Sequence, residues 1–359
     1  MSATLSNPVV AKHTVLNDSR RKQGAELLQQ SSQWSWQKVT ANTVEDIDTL
    51  ASLLSLDLAE LSKRVAANDF KLRVPLTFVS RMRQKDLNDP LLLQILPRTH
   101  EHTDAPGLSK DPLNEQAYNV CPGLVHKYRG RVLLTAAVSC PINCRYCFRR
   151  HFPYNENRLT PNTWGQALDY IRGDTSIKEV ILSGGEPLLL NDRLLGQLLD
   201  EIESIQHIKQ LRIHTRFPVA VPQRLTDEFC ARLISSRCHV AVVLHANHPN
   251  EIDSLVKHYL QALANSRVTL LNQSVLLNGI NNSVGILSEL SEKLYDAGVL
   301  PYYLHATDAV TGTSHFQVSD EQAKRLALEL TQELPGYLAP TLVREVCGEF
   351  AKTRLALGT

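Results

Sequence analysis

Neither sign of charge dominates this sequence. Lys and Arg number 38 against 37 Asp and Glu, a formal net charge of +1, which removes the global field that would gather nucleic acid. No apolar run approaches the roughly 20 residues needed to cross a bilayer, so no membrane partner is expected. The opening stretch MSATLSNPVVAKHTVLNDSRRK lacks the apolar centre of a secretory signal, and a reducing cytoplasm is the expected location. A Gly-x-Gly-x-x-Gly turn is missing, which argues against a dinucleotide-binding fold. What is present is an ordinary globular composition: 359 residues, 43% of them apolar and 6% aromatic, enough for one large core or two modest ones.

Cysteine is scarce and unevenly spent. There are seven, an odd count, and Cys140, Cys144 and Cys147 fall within SCPINCRYCFRR (139–150) beside Arg145, Arg149 and Arg150. In a reducing compartment such a cluster points to metal or catalysis before disulfides. A structural zinc site wants four protein ligands. The other cysteines, Cys121, Cys230, Cys238 and Cys347, are isolated, and Cys230 and Cys238 read as packing residues. Three thiolates on a cubane iron–sulfur cluster leave one iron open to an exogenous ligand.

Residues 1–20 are polar and read as a loose tail. Residues 21–125 read as an N-terminal region, helical at first ("VEDIDTLASLLSLDLAELSKRV") and then proline-rich and extended. From 126 to 335 a rhythm sets in. Apolar, β-branched runs occur at 132–139, 179–185, 210–216, 239–247, 268–277 and 300–308, with helical patterns between them. Apart from the first interval the spacing is roughly thirty residues, the length of a strand–helix unit. Six such units predict an α/β fold with a parallel sheet covered by helices: a partial (β/α)6 TIM-like barrel behind an N-terminal helical region. Residues 336–359 form a C-terminal segment. Polar residues recur where the apolar runs end: the cysteines, Gly184-Gly185-Glu186, His214 and Arg216, His245 and Asn247, His305 and Asp308. In such barrels the carboxyl ends of the strands carry the active site.

The Cys-x3-Cys-x2-Cys spacing, with Tyr146 before the last cysteine and SGGEP (183–187) one unit later, resembles the radical S-adenosylmethionine (SAM) superfamily. In that superfamily three cysteines hold a 4Fe–4S cluster and SAM chelates the fourth iron. Further stretches look like lysine 2,3-aminomutase: "DPLNEQAYNVCPGLVHKYRGRVLL", "CRYCFRRHFPY", "VILSGGEPLLL", "LRIHTRFPVAVPQRLT", "HANHPNE", "LLNQSVLL", "PYYLHATDAVTGTSHF" and "GYLAPTLVRE". The likeness covers most of 85–355 and leans toward the short bacterial branch that supplies β-lysine for elongation factor P.

The resemblance implies an isomerase that converts L-lysine to β-lysine, the R enantiomer, with a 4Fe–4S cluster, SAM and pyridoxal phosphate (PLP) as cofactors. Its implied partners are a reductant such as flavodoxin and, functionally, elongation factor P and its lysyl ligase. It assigns Cys140, Cys144 and Cys147 to the cluster and Lys352 to carrying PLP. Lys127, Tyr128 and Arg131 go to the PLP phosphate, and Arg149 to the substrate carboxylate. Asp308 and Glu345 go to the substrate ε-ammonium. Gly184, Gly185, Glu186, Arg216, His245 and Gln273 line the cofactor sites. The family pattern more often has arginine at Lys127, aspartate at Glu345 and a glycine run before Lys352. Two alternatives are a radical SAM enzyme of another reaction without PLP, and a non-enzymatic iron–sulfur or zinc module. Neither needs the set Asp308, Glu345 and Lys352.

Overall fold

A computed structural model describes residues 18–356, apart from 67–69, 104–105, 155–156, 158 and 161–162, with side chains from residue 23 onward. Of the tail expected over 1–20, residues 1–17 lie outside the described residues, and a helix begins at Asp18.

Ten strands form one sheet in chain order: β1 (Asn119–Cys121), β2 (Leu124–Tyr128), β3 (Arg131–Ala137), β4 (Glu179–Gly184), β5 (Gln210–Thr215), β6 (His239–Leu244), β7 (Thr269–Val275), β8 (Leu300–His305), β9 (Thr341–Arg344) and β10 (Thr353–Arg354). From β3 to β9 every neighbour is parallel. Antiparallel strands finish both edges, β1 and β2 on one side and β10 on the other. Among the described residues β1 and β10 do not pair, so the sheet stays open as a partial barrel. The six strands expected from periodicity are β3 to β8. The seventh parallel strand, β9, extends that expectation.

The chemistry of each unit explains its shape. β4 and β6 read EVILSG and HVAVVL, and their central residues are buried, as befits strands covered on both faces. The helices that follow begin at side-chain caps. Asn191, Thr226, Asp253, Ser283 and Ser319 each accept a backbone N–H of the first turn of Asp192–Ser204, Asp227–Ile234, Ser254–Ala264, Val284–Asp296 and Asp320–Glu333.

The N-terminal helices Trp36–Ala41, Ile47–Leu54 and Leu58–Arg64 share one hydrophobic core with the sheet. Trp36 meets Phe217 edge-on at 5.9 Å between ring centroids, and Cys230 and Cys238 are buried in the same core. Residues 71–103 and 106–118 wrap the carboxyl end of the sheet with short turns, among them Thr99–His102 and Glu115–Tyr118. Among the described residues no helix is long and apolar enough to cross a membrane.

Candidate active site at the carboxyl end of the sheet

The cysteine loop leaves β3 without regular structure, so side-chain contacts must shape it. The wrapping segment supplies them. Arg145 is fully buried and meets both oxygens of Glu101, Nε at 2.7 Å and Nη2 at 2.5 Å. Arg150 joins the same carboxylate at 2.6 Å, and both guanidiniums lie on the Phe70 ring, at 4.8 and 4.9 Å. Arg149 takes Glu115 in a bidentate pair, Nε at 2.7 Å and Nη2 at 2.6 Å, and Ser183 Oγ on Nη1 at 3.1 Å. All three arginines of the cysteine loop therefore answer to two glutamates, of which Glu115 lies in a stretch that resembles the family and Glu101 does not.

Cys140, Cys144 and Cys147 are half-buried free thiols. Burial and then the neighbouring sulfur of Cys144 push the Cys147 thiol up to about 11. Burial and then Cys147 push Cys140 well above the ordinary range. The sulfurs therefore sense one another. Among the described residues, however, no three His, Cys, Asp or Glu side chains already stand at metal-ligand geometry. An all-thiol donor set with cations around it fits an anionic iron–sulfur cluster, whose binding must strip the thiol protons.

Arg216, at the end of β5, reaches this loop. Its Nη1 lies 2.6 Å from Cys144 Sγ and also contacts the Tyr146 hydroxyl, while Nη2 meets Gln94 Oε1 at 2.8 Å and Glu251 Oε2 at 3.0 Å. The residue expected to line a cofactor site thus holds a cysteine sulfur.

The SGGEP corner has a structural account of its own. Gly184 has φ +105°, and a Cβ there would come within 2.6 Å of Thr135 Cγ2; one on Gly185 would come within 2.5 Å of the Ser139 carbonyl oxygen. The close approach that demands glycine is therefore to the backbone leading into the cysteine loop. The Gly185 and Glu186 N–H groups donate to the Ala137 and Ser139 carbonyls. The buried Glu186 carboxylate accepts from Thr215 Oγ1, Arg216 N and Leu188 N at 2.7, 2.9 and 3.1 Å. The Glu186 N–H and carboxylate both make bonds within the chain, and the motif ties β4 to β5.

Opposite the cysteine loop lies a second group. Glu345 Oε2 accepts from Lys352 Nζ at 2.8 Å, and its Oε1 accepts from Tyr128 Oη at 2.6 Å and Lys127 Nζ at 3.2 Å. Burial works against this carboxylate's charge, but Lys352, Tyr128 and Lys127 together outweigh it and hold the group far below the usual range. Arg131 lies over the Tyr128 ring at 4.6 Å. Asp308 is half-buried, and among the described residues its carboxylate has no hydrogen-bond partner; burial and then Glu345 push it up to about 7. His245 and Gln273 meet at 2.8 Å, and burial pushes His245 down to about 3. Next to them His214 and His305 are held neutral by burial, each with a buried, unpartnered Nε2. Their position at the ends of β5 and β8 was visible in the sequence; their lack of a partner was not.

A three-cysteine loop after the first parallel strand, a glycine corner after the second and an open parallel sheet define a radical SAM protein. The family model for the radical SAM superfamily matches residues 135–271. L-lysine 2,3-aminomutase of Haemophilus influenzae is 46% identical over 323 residues, covering 90% of this chain and 96% of the relative. That of Escherichia coli is 45% identical over 328 residues, covering 91% and 96%. Glutamate 2,3-aminomutase of Clostridioides difficile is 32% identical over 306 residues, covering 85% and 71%. The chain belongs to the lysine 2,3-aminomutase family, and it is an isomerase whose family works with a 4Fe–4S cluster and SAM.

Proposed function

We propose that this protein converts L-lysine to β-lysine, with PLP as its third cofactor, and that the product serves the modification of elongation factor P. What supports the reading most is the single carboxylate of Glu345, which gathers Lys352, Lys127 and Tyr128 at the mouth opposite the cysteine loop. That group fits PLP. It offers an amine to carry the cofactor, a cation and a hydroxyl for its phosphate, and two neutral imidazoles with unpaired nitrogens for its ring.

When bound, the cluster and SAM supply hydrogen-abstracting radical chemistry at Cβ, and PLP holds the migrating nitrogen. The chain's own residues bind and orient. Cys140, Cys144 and Cys147 hold the cluster. Arg149 takes the substrate carboxylate. Glu345 is already committed to three partners, so Asp308 is the acid left for the ε-ammonium. The arriving ammonium favours the charged form of Asp308, which burial and Glu345 otherwise oppose.

The test is an anaerobic assay of cluster-reconstituted protein with SAM, PLP, dithionite and either lysine or glutamate, read by mass spectrometry and chiral analysis. β-Lysine from lysine, with no product from glutamate and none without PLP, is expected. Turnover of glutamate alone, or of lysine without PLP, would overturn the assignment. A cell lacking the protein should yield elongation factor P without the mass of a β-lysyl group.

A further inference from the structure

The carboxylate that Arg149 is expected to hold must share the guanidinium with one already there. Glu115 occupies the Nε/Nη2 side, through contacts of 2.7 and 2.6 Å, and Ser183 Oγ takes one N–H of Nη1 at 3.1 Å. Of the five N–H groups of a guanidinium, one remains on each terminal nitrogen. That remaining pair suits a second carboxylate arriving end-on. Arg149 and Glu115 are each 9% exposed, so neither can turn to water to relax.

We propose that Glu115 is a positioning residue for substrate: it fixes the side-on edge of Arg149, so that the end-on N–H pair is presented to the carboxylate of the amino acid being rearranged. This rests on the reading of Arg149 given above. Two properties make Glu115 suited to the task. It comes from the turn Glu115–Tyr118, outside the cysteine loop, so it references Arg149 to the wrapping segment. Ser183, from β4, fixes the third direction, so the plane of the guanidinium is set by two elements that are independent of the loop carrying it. Charge alone would predict the opposite role, because an anion beside Arg149 weakens its pull on a second anion. Orientation and charge therefore make opposite forecasts for the same substitution.

The experiment uses cluster-reconstituted full chain with SAM and PLP, comparing Glu115→Gln, Glu115→Asp, Arg149→Lys and the double variant Glu115→Gln/Arg149→Lys. Glu115→Gln is expected to raise KM for lysine on the order of tenfold to a hundredfold, with smaller loss in kcat and with the SAM-induced change in the cluster's EPR signal retained. In the Arg149→Lys background, which has no fork to orient, the Glu115→Gln penalty should largely vanish. A KM for lysine that is unchanged or lower in Glu115→Gln overturns the proposal in favour of charge, and additive penalties in the double variant overturn it in favour of an unrelated role. Should Glu115→Gln fail to fold, Glu115→Asp keeps the charge and retracts the carboxylate; it must then show the raised KM, and parental KM would overturn the proposal equally. If Arg149→Lys leaves the lysine KM unaltered, it is the carboxylate role of Arg149 that fails, and the Glu115 proposal falls with it.

Discussion

The two walls of the cleft differ in how completely their charges are paired. On the cysteine side each buried guanidinium has its carboxylate: Arg145 and Arg150 on Glu101, Arg149 on Glu115, Arg216 on Glu251. On the opposite side one glutamate serves two lysines and a tyrosine, Asp308 has no partner among the described residues, and two imidazoles have an empty nitrogen. Buried polar groups left unpaired are costly; isolated ones such as Trp36 Nε1 occur in the core, but several gathered in one cleft point to a ligand. The paired wall fixes the cysteine loop and Arg149 in place, and the other wall leaves Asp308, His214 and His305 open toward a ligand.

The contrast can be broken most severely on the paired wall. Glu101→Gln leaves two buried arginines without a countercharge, and removing one partner of such a pair costs about 3–5 kcal/mol. A large fall in Tm by thermal unfolding, together with loss of iron after reconstitution, is the expected outcome; a parental Tm would show that the wall does not depend on this carboxylate.

Lys352→Ala acts on the other wall and should leave the fold alone, since Lys352 is 19% exposed and Glu345 keeps Lys127 and Tyr128. Borohydride reduction and peptide mapping should find the pyridoxyl label on Lys352 in the parent and nowhere in the variant. A label on Lys127 would move the cofactor's anchor.

Asp308→Asn should slow lysine turnover on the order of tenfold to a hundredfold while the SAM response of the cluster persists. It also carries a pH signature in the cofactor-free protein. Burial raises Asp308 from 3.8 to about 7, so between those values the folded chain keeps a proton that the unfolded chain releases. Stability from this group is complete below pH 4 and is lost as pH rises toward 7. Asparagine has no proton to lose. The variant should therefore melt higher than the parent at pH 8 and not at pH 4, a smaller shift than that of Glu101→Gln. Equal Tm differences at both pH values would show that Asp308 is not destabilised by its surroundings.

Much of the fold was legible because six apolar runs at a regular spacing leave little choice but a parallel sheet. β9 escaped because TLVR is too short to show a period. The β1–β2 hairpin was read as extended chain, although Pro122-Gly123 marked its turn and Gly123 takes φ +82°. In the site, the cysteines and the strand-end histidines announce themselves by type and place. Glu101 and Glu115 do not: nothing in the type or place of either names its arginine, which lies 44 or 34 residues away. Gly184 and Gly185 carried a signal of close approach, and the fold adds that Thr135 and the Ser139 backbone crowd them.

Lys352 immediately precedes β10, whose two residues pair with Arg344 and Val343 and are followed by one further bond, Leu355 N–H to the Leu342 carbonyl at 3.1 Å. So short a ladder at an exposed edge can open without disturbing the seven parallel strands. Backbone amides around 353–355 should exchange their hydrogens by local opening, long before those of β4 to β6 exchange. The residue expected to carry PLP would then be the part of the site that can leave its place while the parallel sheet stays folded, which makes 352–355 a natural port for loading the cofactor.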